Sequence, residues 1–188
     1  MRILLILLLV LLFTKLSAQY YEDVDTTNSL TLKSTLHNII DSHTMFPYTS
    51  QDTDTWDVLY LADQDPFNPD NIWTIYKNAS YEWLGGGIQV YNREYTWPES
   101  YGFDDDVLGD NNPARTDMHA LMLADGSYNN GRGNKFYDDC DSSCTERPTD
   151  MITGQGGGTG IYPGNSNWLD TDSYEVWDFK PLIKNDRF

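Results

Sequence analysis

The chain has 188 residues, room for one ordinary domain and not for two. It carries 12 Lys and Arg against 29 Asp and Glu, a formal charge of −17. Such a field repels polyphosphates at long range and attracts divalent cations, so charge alone argues against nucleic-acid binding.

Arg2, eleven unbroken apolar residues over 3–13, Lys15 and the small-residue exit Leu16-Ser17-Ala18 predict a secretory signal peptide over 1–18. Eleven apolar residues fall short of the roughly 20 that span a bilayer. The expectation is therefore a secreted protein (periplasmic in a Gram-negative host) without stable membrane association after cleavage. Removing residues 1–18 takes away Arg2 and Lys15 and no acid, which moves the charge from −17 to −19.

Residues 19–28 read as a flexible, acidic lead. Over 29–43, Leu32, Leu36, Ile39 and Ile40 recur at helical spacing and predict an amphipathic helix, with His43 continuing the stripe and His37 on the polar side. Asp63, Asp65, Asn68 and Asp70 form a Pro-containing acidic loop that lacks the Gly and closing Glu of an EF-hand, hence a solvated turn. Residues 71–76 are aromatic and β-branched and predict a strand. Asn78-Ala79-Ser80 is a glycosylation sequon at Asn78. Gly85-Gly86-Gly87 turns the chain into a second strand over 88–91, which delivers residues 92–95 at its end. Residues 103–112 are irregular, and 138–167 read as a Gly-rich connection without the Gly-Lys-Ser/Thr of a P-loop. Cys140 and Cys144 are predicted to pair as a local disulfide, because no further His or Cys stands near enough for a zinc site. Residues 173–179 predict a last short element.

Two segments carry the chemistry. One is Asn92-Arg93-Glu94-Tyr95-Thr96-Trp97-Pro98. The other runs Thr116-Asp117-Met118-His119, then Leu121, Ala124-Asp125, Asn129 and Arg132-Gly133-Asn134. Together they resemble the signature of the endonuclease I family, N-R-E-H-x-W-P followed by T-D-L-H-x-L-x-P-A-D-x-x-x-N-x-x-R-G-N. The stretch Tyr48-Thr49-Ser50-Gln51-Asp52-Thr53-Asp54-Thr55-Trp56 extends the likeness upstream. Two positions depart from the pattern: Tyr95 replaces the family's histidine, and Leu123 its proline. The family also continues into a C-terminal helix, whereas this sequence ends at Phe188.

The resemblance implies an α+β fold with a His-Me finger (ββα-metal) core over 29–188, surrounded by helices and long Gly/Asp-rich loops. It implies a monomer and a Mg²⁺-dependent, sequence-nonspecific endonuclease acting on DNA and/or RNA. Glu94 and Asn129 map onto the metal ligands, Arg132 onto a phosphate-holding group, and Arg93 is a second candidate for substrate contact. Tyr95 stands at the general-base position, where a phenol with an ordinary pKa near 10 is a poor base at neutral pH. His119 has its own place in the pattern, as an outer-shell group or a substitute base. Trp97 and Pro98 are expected to pack the strand exit, Asp117 and Asp125 to orient backbone, and Asn134 to close a helix. A weakened enzyme and a catalytically dead, secreted binding module are the two resulting readings.

Overall fold

The computed structural model describes residues 21–41, 44–88, 90–102 and 112–177. Residues 1–18, His43, nearly all of 103–112 and the terminal 179–188, on which expectations were placed, lie outside them. The chain divides into two compact units, Met1–Thr44 and Met45–Phe188.

In the first unit the predicted helix forms as α1 (Ser29–Ile40). Asn28 starts it: its side chain accepts from the backbone of Leu30 and Thr31, while the Thr31 hydroxyl accepts from the Asn28 N–H. This reciprocal box satisfies N–H groups that a helix start otherwise leaves open. Leu32, Leu36 and Ile39 are partly buried, and His37 is exposed.

The second unit begins its regular structure with α2 (Thr55–Ala62), capped by Asp54, whose carboxylate accepts from Trp56 N–H at 2.7 Å. Three antiparallel strands follow, β1 (Gln64–Asp65), β2 (Asn68–Trp73) and β3 (Ser80–Glu82). The acidic turn expected here is a correction. Asp63 and Asp65 are buried. Asp63 accepts from Leu123 N–H at 2.8 Å, and Asp65 from Phe67 N–H at 2.9 Å and the Ser80 hydroxyl at 2.6 Å. Their charges are anchored by donors rather than solvated.

Asn78 is also corrected. It is 0 % exposed, its Oδ1 accepts from the Trp73 indole at 2.6 Å, and its Nδ2 donates to Asp150 O at 2.8 Å and Gln155 O at 3.1 Å. The nitrogen a glycan would modify is committed inside the fold.

β4 (Tyr91–Tyr95) and β5 (Leu121–Asp125) pair antiparallel, Tyr91 opposite Asp125 and Tyr95 opposite Leu121. α3 (Gly126–Arg132) follows at once, with Asp125 accepting from Ser127 and Tyr128 N–H, and ends at Gly133 with φ 54°. That left-handed backbone suits glycine.

Side chains alternate across a strand, and both faces of this pair are covered. Tyr91, Leu121 and Leu123 pack with Trp56, Leu59, Ile72 and Met118, and Tyr95 leans on that cluster. On the other side Ala124 packs with Ile75, Tyr76, Tyr128 and Tyr174, with Met122 against them.

A four-stranded sheet closes the unit, in the order β6 (Phe136–Tyr137), β9 (Ser173–Glu175), β8 (Ser166–Leu169), β7 (Thr145–Pro148). Strand β7 and the start of β8 fall where only a connection was expected. Thr-Glu-Arg-Pro has no apolar alternation and pairs because β8 lies beside it, with Thr145 opposite Leu169. Cys140 and Cys144 are joined, Cα to Cα 6.1 Å. The whole is an α+β fold. Among the described residues no helix is long and apolar enough to cross a membrane.

Leu121 has no exposed surface and sits at the centre of the first cluster. Leu121→Ala should cost about 2–5 kcal/mol of unfolding free energy, read from the denaturant midpoint. A loss under about 0.5 kcal/mol, the range of ordinary surface substitutions, would contradict this core.

Candidate active site

The unit β4–β5–α3 gathers most of the sequence-predicted residues. Along β4, Arg93 and Tyr95 lie on the face of the first cluster and Glu94 on the opposite face, toward α3. Asn129 leans from α3 onto the strand, its Nδ2 donating to Arg93 O at 3.1 Å. Arg132, one turn further on, reaches the strand end.

Glu94 is 3 % exposed. Its Oε1 accepts from Arg132 Nη1 at 3.1 Å and from the Tyr76 hydroxyl at 2.5 Å. The Tyr76 and Tyr137 hydroxyls stand 2.5 Å apart. Since the Tyr76 proton goes to Glu94, Tyr137 is the donor, and the bonds run Tyr137 to Tyr76 to Glu94. Burial pushes Glu94 up to about 7, against the opposing pull of Tyr76 and Arg132. Burial likewise raises both phenols above their ordinary range.

Tyr76 and Tyr137 are the site residues that sequence reasoning missed. They arrive from 18 residues upstream of Glu94 and from strand β6. Tyr76 has φ 63°, Ile75 N–H donates to Leu123 O at 2.9 Å, and Lys77 N–H turns back to Ile75 O at 2.7 Å. A tight turn docked on the second edge of β5 thus aims the phenol at Glu94. A cleft of about 520 Å³ opens beside the pair, lined in part by Tyr76, Thr96, Met122, Tyr137 and Asp138.

Arg132 is only 2 % exposed. Nη1 donates to Tyr95 O at 2.8 Å as well as to Glu94, Nη2 donates to Thr96 O at 3.0 Å, and the guanidinium lies 4.6 Å from the Tyr137 ring centre. Its buried Nε–H has no acceptor among the described residues. The arginine expected to face substrate is instead a clamp beneath the strand end.

Arg93 lies over the Tyr48 ring at 3.3 Å and the Trp56 ring at 4.4 Å. Its Nη1 donates to Tyr48 O and, at 2.8 Å, to Thr55 Oγ1. That cation ties the segment before α2 to the far face of β4, away from Glu94.

Tyr95 shares that face. Its ring lies parallel to Tyr48, centroids 6.4 Å apart, and its hydroxyl donates to Arg115 O at 2.9 Å. Burial first, then the neighbouring Tyr48 and Glu99, pushes the phenol further above its ordinary range. Its lone proton is engaged and harder to remove than in water.

His119 precedes β5 and its side chain is 70 % exposed, with Nδ1 3.2 Å from Asp117 Oδ1. Asp117 also accepts from His119 N–H at 2.9 Å, so it does orient backbone as expected. Trp97 is a correction. Pro98 is buried at the strand exit, but Trp97 is 59 % exposed.

Among the described residues no three His, Cys, Asp or Glu side chains gather as a metal-binding group. A cation here would rest on one Glu94 oxygen, the Asn129 amide oxygen and water. Two hard oxygen ligands with several waters is a set Mg²⁺ accepts, and Oε2 of Glu94 and Oδ1 of Asn129 take none of the bonds described above. The donor set fits, although the Arg132 charge opposes it.

The family model described as Endonuclease I matches residues 28–174. A curated protein of Bacillus subtilis (strain 168), named "Extracellular ribonuclease", is 34 % identical over 161 residues, 85 % of this chain and 47 % of its own length. A protein of the same name from Bacillus amyloliquefaciens is 33 % identical over 137 residues, 72 % of this chain and 45 % of its own. The chain thus spans about half the length of these relatives. No solved structure matches it.

A group whose folded pKa is raised contributes stability below its unfolded pKa and loses it as pH rises through the folded one. For Glu94 that window runs from 4.5 to about 7. In EDTA, the melting temperature of the wild type relative to Glu94→Gln should therefore fall as pH rises across it. A difference that stays constant would mean that Glu94 titrates normally.

Proposed function

The chain belongs to the endonuclease I family, and on that premise we propose that it is a secreted, Mg²⁺-dependent, sequence-nonspecific endonuclease hydrolysing phosphodiester bonds of DNA and/or RNA, slowed by Tyr95. The observation that carries this reading is the meeting of Glu94, Asn129 and Arg132, distant in sequence, at one strand end. The strand–strand–helix unit is read as the His-Me finger core. The relatives' printed name, extracellular ribonuclease, supports both an extracellular location and RNA among the substrates.

Glu94 and Asn129 would hold the cation, which when bound stabilises negative charge on the phosphate and on the leaving oxygen. Arg132 holds the strand end rigid through the Tyr95 and Thr96 carbonyls and fixes Glu94 from beneath the site. The phenols of Tyr76 and Tyr137 supply hydrogen bonds that orient Glu94 and can follow its protonation. Water must still lose a proton to attack phosphorus. Tyr95 is ill suited to receive it, because its hydroxyl is a donor to Arg115 O and its pKa is raised. His119, its Nδ1 3.2 Å from Asp117 Oδ1, is the candidate substitute for that role.

The second reading is a metal-holding module without turnover. The Tyr95 hydroxyl, engaged with Arg115 O and held in its protonated form, favours it.

Plasmid nicking and RNA degradation at millimolar Mg²⁺ test both readings. Slow cleavage should vanish with EDTA and with Asn129→Ala, and fall with His119→Ala. Tyr95→His should raise it by about 10²–10⁴. No cleavage by the wild type over long incubation, with activity in Tyr95→His, would establish the second reading. None in either protein would sink the nuclease.

A further inference from the structure

An exposed aromatic group beside the site has no role in the chemistry above. Trp97 and Phe136 are 59 % and 64 % exposed, with Tyr101 between them. The Tyr101 and Phe136 rings stack 5.2 Å apart at 18°, and Trp97 meets Tyr101 edge-on at 6.4 Å. Hydrogen bonds hold this group in place. The Tyr101 hydroxyl donates to Asn134 O at 2.6 Å, and the Trp97 indole donates to Tyr101 O at 3.2 Å.

Both ends of the group are one residue from the candidate site. Trp97 follows Thr96, whose carbonyl Arg132 holds. Phe136 precedes Tyr137, whose hydroxyl reaches Tyr76 and through it Glu94. On a chain with a formal charge of −17, phosphate attraction at long range cannot supply the affinity. A π-face offers what charge does not, since every base stacks and none needs to be read. Bases inside a duplex have no free face to offer.

We infer that Trp97, Tyr101 and Phe136 form a stacking ledge that takes the unpaired bases of a single-stranded nucleic acid running past Glu94. The inference rests on the nuclease reading for the position of the scissile phosphate. It adds that single strands are bound in preference to duplexes. Because few cations take part, binding depends only weakly on salt. A single released counterion predicts a change of about threefold between about 50 and 200 mM salt.

The test is fluorescence anisotropy in EDTA, where hydrolysis does not intrude, with labelled oligothymidylate, oligouridylate and a duplex, each about ten nucleotides long. The single strands should bind and the duplex should bind at least tenfold more weakly, a tenfold ratio being about 1.4 kcal/mol. Phe136→Ala and Trp97→Ala should each weaken single-strand binding at least about fivefold. Phe136→Tyr should retain it. Phe136→Leu, which keeps the apolar bulk, should still lose it, so a folding defect in the alanine variants does not blunt the test. Equal binding of the duplex, or unchanged affinity in Phe136→Leu and Trp97→Ala, overturns the inference. So does concentration-dependent self-association in sedimentation that these variants abolish, which would make a second copy the occupant. Single-strand binding of this kind by a wild type that never cleaves would support the ledge while sinking the hydrolysis. Cleavage with unaltered binding in the variants would do the reverse.

Discussion

The buried guanidinium of Arg132 is the contact on which the rest of the site depends. One side chain from the last turn of α3 closes on the carboxylate of Glu94 and on two successive carbonyls where β4 ends. A strand that leaves its sheet exposes carbonyls that need donors. Here a single planar fork supplies them and neutralises the neighbouring acid. Take it away, and an uncompensated buried carboxylate remains beside two stranded acceptors, the kind of loss that costs several kcal/mol. Helix, strand end and acid are therefore one object. Its geometry comes from the arginine rather than from the strand pairing, which stops at Tyr95 opposite Leu121.

Around that clamp the environment sorts the ionisable groups by depth. Glu94 is pressed toward its protonated form by burial, yet it is surrounded by donors, so its state depends on what enters the site. Asp125, also buried, goes the other way. Burial raises it, but Ser127, Tyr81 and Lys77 together bring it below the usual carboxylate range. It stays an anion and caps α3, where the helix start favours negative charge. Two carboxylates near the same two strands thus have different work, one fixed and structural, the other poised.

What the sequence disclosed follows from how far each signal reaches along the chain. Helix α1 was legible because its apolar stripe is a local signal; its Asn28 cap emerged only in the structure. The Cys140–Cys144 bridge was legible because its ends stand only four positions apart. Glu94, Asn129 and Arg132 were legible as a pattern, although only the fold brings them together. Strand β7 was not, because an edge of Thr-Glu-Arg-Pro owes its conformation to β8 and not to its own composition. Asp63 and Asp65 look like loop acids until Leu123 and Ser80 supply their donors from elsewhere. Tyr76 and Tyr137 gave no sign of their role, since their contacts to Glu94 exist only after β5 has docked the turn. Trp97 misled in a different way: an indole next to a buried proline suggests packing, and only burial itself can say that the ring stays out.

Both faces of the β4–β5 pair are buried, by different clusters. Glu94 and Tyr95, neighbours in sequence, therefore answer to separate surroundings. A change at 95 is felt by Tyr48, Arg115 and the cluster around Leu121; a change at 94 is felt by Tyr76, Tyr137 and Arg132. The pleat acts as a partition between the surroundings of Glu94 and those of Tyr95. A substitution at one position need not disturb the other. Each of the two positions can thus be remodelled inside its own set of neighbours while the strand that carries both stays as it is.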